Sequence, residues 1–280
     1  VTGCDISEAY AKDLNKKVIN TDEPFVNKLL LHSKNFKATT NLLDAILFSN
    51  IIFIVVDTPS LINGRYDHSQ IDFVVSQIIK FRELTKEKYL FISCTVMPGY
   101  IDIISKKIGD LKYIVSYNPE FIAQGSIIRD IQNPDIVLIG ADNKNAQNIL
   151  EKIYSKICLN KPLIHTMSPK EAEITKIALN CFLTTKIAYA NMIGDLARSV
   201  GADESIILNA IGSDSRVGRF FLKYGYGFGG PCLPRDNRAL SSFADDHGYN
   251  ALISKYTDMA NKEHLDFQIK EFCNCFSKKE

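Results

Sequence analysis

Short apolar runs recur through the first 166 residues: Ile51–Val56, Tyr89–Ser93, Tyr113–Tyr117, Ile136–Gly140 and Pro162–Thr166. Each has the length and the Ile/Val/Phe content of a buried strand. Amphipathic helical patterns lie between several of them, over Ser69–Leu84 and Asn143–Cys158. Strands that alternate with helices predict a doubly wound α/β domain with a parallel sheet. The opening Val1-Thr2-Gly3-Cys4-Asp5-Ile6-Ser7 reads as one more short strand, ending in an acid. After Thr166 the period changes. Ser168-Pro169-Lys170-Glu171 is a capping box with proline at the first helical position, and a long helical pattern follows to about Val200, with Gly201 as its stop. Glu204–Ile211 and the segment after Arg235 also read as helices. The expected organisation is an α/β domain over residues 1–166 and an all-α domain over 167–280, with a frayed tail at Ser277–Glu280.

Composition narrows the function classes. With 33 Lys+Arg against 32 Asp+Glu, the net charge of +1 gives no general attraction to nucleic acid or membranes. No apolar run approaches the roughly 18 residues of a membrane span, and no signal peptide is visible. The seven cysteines are odd in number and scattered, which suits a reducing cytoplasm better than a disulfide framework. Cys273 and Cys275 lack zinc-site spacing, and no metal site is expected. The chain begins at Val1 without an initiator methionine and reads as a fragment.

The densest chemistry lies in Gly225-Tyr-Gly-Phe-Gly-Gly-Pro-Cys-Leu-Pro-Arg-Asp236, where four glycines and two prolines surround Cys232 beside an Arg235-Asp236 pair. Glycines allow close approach of backbone to a ligand, prolines fix the loop, and a thiol so held can serve as a nucleophile. Gly225, Gly227 and Gly230 formally match G-x-G-x-x-G. That pattern binds dinucleotides only between a strand and a helix, and here Pro231 follows at once, so the match is rejected. Other candidates fall at strand ends, where ligands of open α/β sheets bind. These are Asp5, Thr58 in Val56-Asp-Thr-Pro59, Thr95 in Cys94-Thr-Val-Met-Pro-Gly99, and Glu120 in Asn118-Pro-Glu-Phe121. Lys176 and Asn180 share one face of the long helix and could stabilise an oxyanion. Arg216, Arg219 and Lys223 are cations that suit a diphosphate. Taken singly, each has a plain structural reading as a cap, a turn or a solvated face.

Their order along the chain resembles the nucleotide-sugar dehydrogenase family, from Val1 to about His264. The motifs that carry the likeness are Gly-Phe-Gly-Gly-Pro-Cys-Leu-Pro-Arg-Asp, Asn-Pro-Glu-Phe, Lys176-x-x-x-Asn180 and Asp214-Ser-Arg-Val-Gly218. The resemblance implies a Rossmann-like NAD domain, here without its first βα unit, and a helical central domain that pairs into a homodimer through Ser168–Val200. It implies a four-electron, NAD-dependent oxidation of a nucleotide sugar, UDP-glucose first and GDP-mannose as the alternative. Cys232 would carry a thiohemiacetal and then a thioester. Lys176, Asn180, Asp236, Thr95 and Glu120 would surround the reacting carbon. Phe121, Lys176, Asn180, Lys223, Phe228 and Gly229 would bind the sugar nucleotide, with Arg216 contributing across the dimer. Asp5, Thr58, Thr95, Gln124 and Arg235 would line the NAD site.

Four departures accompany the likeness. The family's opening strand and Gly-rich turn do not occur in the chain, and neither does its third domain, so little activity is expected of these 280 residues alone. Gln124 stands where the family usually has a carboxylate, and Arg235 replaces a frequent lysine. A β-hydroxyacid dehydrogenase would share the Lys-x-x-x-Asn helix but needs no thiol. A non-catalytic dimerising module is the rival from another class.

Overall fold

A computed structural model describes residues 1–81 and 87–277. The elements in chain order are β1 (Thr2–Cys4), α1 (Glu8–Asn15), α2 (Val26–His32), β2 (Lys37–Thr39), α3 (Leu42–Phe48), β3 (Ile51–Ile54), α4 (Ser69–Lys80), β4 (Lys88–Ile92) and α5 (Tyr100–Ile108). There follow β5 (Tyr113–Tyr117), α6 (Ile127–Gln132), β6 (Ile136–Gly140), α7 (Lys144–Ile157), β7 (Leu163–Met167), α8 (Pro169–Ser199), α9 (Glu204–Gly212), α10 (Leu233–Asp246) and α11 (Leu252–Ser277). The helix expected over Ser69–Leu84 is described as far as Lys80. Its expected end at Leu84 lies outside the described residues, as do positions 278–280 of the expected tail.

The chain divides into two compact units, residues 1–58 with 68–173 and residues 59–67 with 174–280. The first holds a five-stranded sheet of order β3-β4-β5-β6-β7 and a separate parallel pair, β1-β2. Consecutive side chains of the central strands enter opposite layers, as pleating requires. Leu90, Ile92 and Leu138 join Ile71, Val75, Ile101 and Ile104 of α4 and α5. Phe91, Val137 and Ile139 join Ala146 and Leu150 of α7. Both faces are therefore covered, which explains why these strands read as continuous apolar runs.

One pairing departs from the expected parallel sheet. β6 meets β5 antiparallel, through Tyr117 and Gly140. An antiparallel return needs no crossover to the far edge. The segment between Tyr117 and Ile136, which carries Glu120, Phe121 and Gln124, therefore stays at the carboxyl end of β5. Gly140 is required for packing at this point. A Cβ there would stand 2.7 Å from the Ala172 Cβ and 3.1 Å from the Pro169 Cα.

Helix α8 starts with the expected capping box. The Glu171 carboxylate accepts from the Ser168 N–H at 2.9 Å and from its hydroxyl at 2.7 Å. At the other end Gly201 takes φ +73°, and the Ala202 N–H returns to the Ala197 carbonyl. In the second unit, Ala190 of α8, Leu208 of α9 and Leu222 form a small core, flanked by Ile193, Ile211 and Tyr224.

Glu173, fully buried, closes the first turn of α5. Its carboxylate accepts the Gly99 N–H at 2.5 Å and the Ile101 N–H at 2.8 Å. Burial dominates over these two donors and pushes its pKa up to about 7. A carboxyl raised on folding binds its proton more tightly in the native state. Its contribution is complete below the unfolded value of 4.5 and is lost as pH rises through about 7. We predict that wild-type stability falls by about 3 kcal/mol from this group across that window. Urea denaturation of wild type and Glu173→Gln at a series of pH values checks this. The difference between the two proteins should change through the window, and a constant difference excludes the raised pKa.

Candidate active site

In the first unit the expected residues stand at strand ends. Asp5 follows β1, and its carboxylate accepts the Ser7 N–H at 2.8 Å. Thr58 is buried beyond β3 and donates its hydroxyl to the Thr95 carbonyl at 2.8 Å, which ties the ends of β3 and β4 together. Thr95 itself is half-buried. Beyond β5, Asn118 is fixed from two sides. It donates to the Leu138 carbonyl at 3.0 Å and accepts the Tyr154 hydroxyl at 2.9 Å. Burial pushes Tyr154 up to about 12, so its phenol serves as a donor. Glu120 and Phe121 line a hollow of ≈160 Å³ with Phe53, Asn118, Asp130 and Tyr154.

Gln124 is exposed on the next turn, whose backbone is pinned by two carboxylates. Asp130 accepts from the Ala123 N–H at 3.0 Å and the Ser126 hydroxyl at 2.7 Å, and Glu23 accepts the Gly125 N–H at 2.5 Å. Burial opposes ionisation of Asp130, but the bonds from Ser126, Ala123 and Arg129 outweigh it and hold the carboxyl below its usual range.

The Gly-rich loop belongs to the second unit, and amide side chains fasten its backbone. Asn191 of α8 accepts the Gly225 N–H at 3.0 Å and donates to the Tyr226 carbonyl at 3.2 Å. Asn261 of α11 accepts the Phe228 N–H at 2.8 Å and donates to its carbonyl at 3.0 Å. A Cβ on Gly227 would lie 2.6 Å from the Asn261 Oδ1, so glycine is needed for this clasp. The Gly225 carbonyl faces His264 Nε2 at 2.8 Å, while Nδ1 faces the Asp195 carboxylate at 2.8 Å. Both partners are acceptors, so the imidazole bridges α8 and the loop. Gly230, at φ +75°, turns the chain into α10.

Cys232 is exposed at the N-cap of α10, with its side chain not engaged in capping. An anionic sulfur or adduct there meets the positive end of the helix dipole. One turn on, Asp236 is fully buried. Its Oδ1 accepts from the Tyr66 hydroxyl at 2.8 Å and from Arg235 Nε at 3.0 Å, and its Oδ2 accepts from Asn180 Nδ2 at 2.6 Å. Lys176, also buried, lies one turn before Asn180 on α8. Phe228 is buried, and Gly229 and Lys223 are exposed. Arg216 is not drawn into this cluster. It pairs with Asp214 at 2.7 Å, beside Phe182 and Tyr189 of α8.

The other internal thiols differ in kind. Cys181 is pushed up to about 12 by burial and by the charge of Asp236, and burial also raises Cys94 and Cys158.

Residues 1–158 match the NAD binding domain of the UDP-glucose/GDP-mannose dehydrogenase family, and residues 170–263 match its central domain. The chain belongs to this family. It is 32% identical over 267 residues to a UDP-glucose 6-dehydrogenase of Rickettsia prowazekii, with 94% of the chain and 61% of that protein covered. It is also 32% identical over 256 residues to the GDP-mannose 6-dehydrogenase of Pseudomonas aeruginosa, covering 86% of the chain and 58% of the relative. A UDP-glucose dehydrogenase structure from Pyrobaculum islandicum superposes with a TM-score of 0.87 at 29% identity, over 94% of this chain and 62% of that one. The chain therefore spans about three fifths of the length of these relatives. The family is one of NAD-dependent oxidoreductases. Among the described residues no helix is long and apolar enough to cross a membrane.

The sequence reading did not single out Tyr66, Asn191, Asn261 or the pair Asp195–His264. Asn191 and His264 are almost fully buried polar groups on helices, and such groups in an otherwise apolar face are the signal that could have found them. We predict that Asn261→Ala, which strips both bonds from Phe228, lowers the unfolding free energy by about 1–3 kcal/mol. A urea midpoint unchanged from wild type would show that the clasp contributes nothing.

Proposed function

We propose that a protein carrying this chain oxidises the primary alcohol of UDP-glucose to the carboxylate of UDP-glucuronate, with Cys232 as covalent nucleophile. The observation that carries this reading is an exposed thiol at the head of α10, one turn from a carboxylate that Asn180 and Arg235 hold in place. NAD, when bound, accepts a hydride from the sugar carbon in each of the two oxidations. The donor set of the first unit fits it: an acid after β1 suits ribose hydroxyls, and Thr58 and Thr95 bring hydroxyls to the ends of β3 and β4. Gln124 and Arg235 complete the cofactor residues that the family likeness implies.

In this reading the Cys232 sulfur adds to the aldehyde carbon. The resulting alkoxide is stabilised by the head of α10 and by Lys176 and Asn180. After the second oxidation the thioester is hydrolysed, and the thiolate leaves. Three donors occupy the Asp236 oxygens, so Asp236 serves to orient. Glu120 and Thr95 keep the water-activating role that the family likeness implies. Phe121, Lys223, Phe228 and Gly229 are assigned to the sugar nucleotide. GDP-mannose is the second reading, favoured by equal identity to a GDP-mannose 6-dehydrogenase. A cytoplasmic location accords with seven free thiols. In the full-length protein, Cys232→Ser should lower formation of the uronate by about a thousandfold or more, measured as NADH and product with UDP-glucose and GDP-mannose in parallel. Unchanged turnover would remove the covalent mechanism. Turnover with GDP-mannose alone would reverse the substrate assignment.

We further infer that α8 pairs with a second copy of the chain. Phe182, Tyr189 and Leu196 are 62%, 45% and 61% exposed and recur every seven residues, as an interhelical seam requires. Arg216 borders this seam and would reach into the partner's substrate site. The double variant Phe182→Asp/Leu196→Asp should be monomeric by light scattering while the wild type is dimeric. A dimer in the variant rules out this seam.

A further inference from the structure

The loop Pro59–Asp67 groups with the second unit, although it leaves and re-enters the first. It is a small closed finger. Leu61 N–H donates to the Arg65 carbonyl and Asp67 N–H to the Pro59 carbonyl, each at 2.8 Å. At its tip Gly64 takes φ +83°, and a Cβ there would stand 3.2 Å from the Arg238 carbonyl of α10. Arg65 pairs with Asp246 at the far end of the same helix. The finger is thus seated along α10, and Tyr66 is the residue it delivers.

Tyr66 is 2% exposed. Its hydroxyl donates to Asp236 Oδ1 at 2.8 Å, and the Arg235 guanidinium lies 4.9 Å from its ring centroid. One side chain therefore holds both charges of the first turn that Cys232 begins, the carboxylate through its hydroxyl and the cation through its π-face. The Asp236 N–H in turn donates to the Cys232 carbonyl at 2.9 Å. Among the described residues, the titratable groups that face this cluster include Arg235 and Cys232 of α10, Cys181 from α8, and Asp258 of α11, reached through Asn237. Burial lowers the pKa of Arg235, but Asp236, Tyr66 and Cys232 together raise it above its ordinary value.

We propose that Tyr66 is a positioning residue that sets the reactivity of the Cys232 thiol by fixing Asp236 and Arg235. This rests on the reading of Cys232 as the nucleophile. Loss of the hydroxyl leaves the Asp236 charge less dispersed one turn from Cys232, which disfavours thiolate. Loss of the ring also frees the Arg235 cation.

The test is alkylation of the purified 280-residue chain by iodoacetamide across a pH series. Cys232 and Cys273 are followed separately by peptide mass spectrometry. Tyr66→Phe keeps the ring and should slow Cys232 alkylation at neutral pH by about threefold. Tyr66→Leu should slow it by about tenfold, equivalent to a profile displaced upward by about one pH unit. The Cys273 rate should not change in either. If Tyr66→Leu unfolds, the buried Cys181 becomes reactive, and the near-isosteric Tyr66→Phe decides alone. A Cys232 profile identical to wild type in Tyr66→Phe overturns the assignment. Alkylation requires no turnover. A full-length Cys232→Ser enzyme that still forms uronate therefore overturns the catalytic reading, while an unmoved profile overturns only the role of Tyr66.

Discussion

A carboxylate with no exposed surface is costly unless donors replace the water it has lost. Asp236 is such a group, and its demand for donors organises the head of α10. Asn180 comes from α8, Arg235 from the same helix, and Tyr66 from a finger of chain inserted between β3 and α4. Three segments far apart in sequence are thereby fixed relative to the residue one turn before, Cys232. Removing any one donor leaves the charge under-satisfied. Removing the carboxylate takes away the acceptor shared by a half-buried guanidinium, an amide and a phenol.

The Gly-rich loop poses the complementary problem. Glycines leave the backbone free to approach a ligand but give it no side chains with which to hold its own shape. The helices supply what the loop lacks. Asn191 and Asn261 each engage backbone N–H and C=O groups, and His264 and Gln268 both converge on the Gly225 carbonyl. The loop is ordered from outside, so its N–H groups near Gly229 and Gly230, where a Cβ would meet nothing, need not be covered by its own chain.

These two devices explain what could be read from the sequence and what could not. Strand and helix positions were legible because burial on both faces writes continuous apolar runs and because caps such as Ser168–Glu171 and Gly201 are local. The extents of β5 and β6 agree residue for residue with the apolar runs. The antiparallel return of β6 was not legible, since a five-residue apolar run has no direction. Cys232, Asn180, Asp236 and Arg235 were legible as a motif. Tyr66 was not. Its role comes from a long-range contact, and in sequence Asn-Gly-Arg-Tyr is an ordinary turn. The clasping asparagines were hidden for the same reason, since a buried amide and a solvated one look alike until the facing backbone is known.

The contrast among Cys181, Cys94 and Cys232 follows from the same physics. Cys181 approaches the cluster as closely as any, with its sulfur 3.4 Å from the Asp236 carbonyl, yet burial and the Asp236 charge keep it protonated. Cys94 ends a strand at the carboxyl edge of the sheet, a good place for chemistry, but it too is buried and held protonated. Cys232 combines exposure, a helix N-terminus and a nearby cation, whereas each of the other two lacks exposure. Of these three thiols it is Cys232 that stands exposed at a helix N-terminus. The same buried Asp236 that suppresses ionisation of Cys181 holds the Arg235 cation at the head of α10, where Cys232 begins the helix.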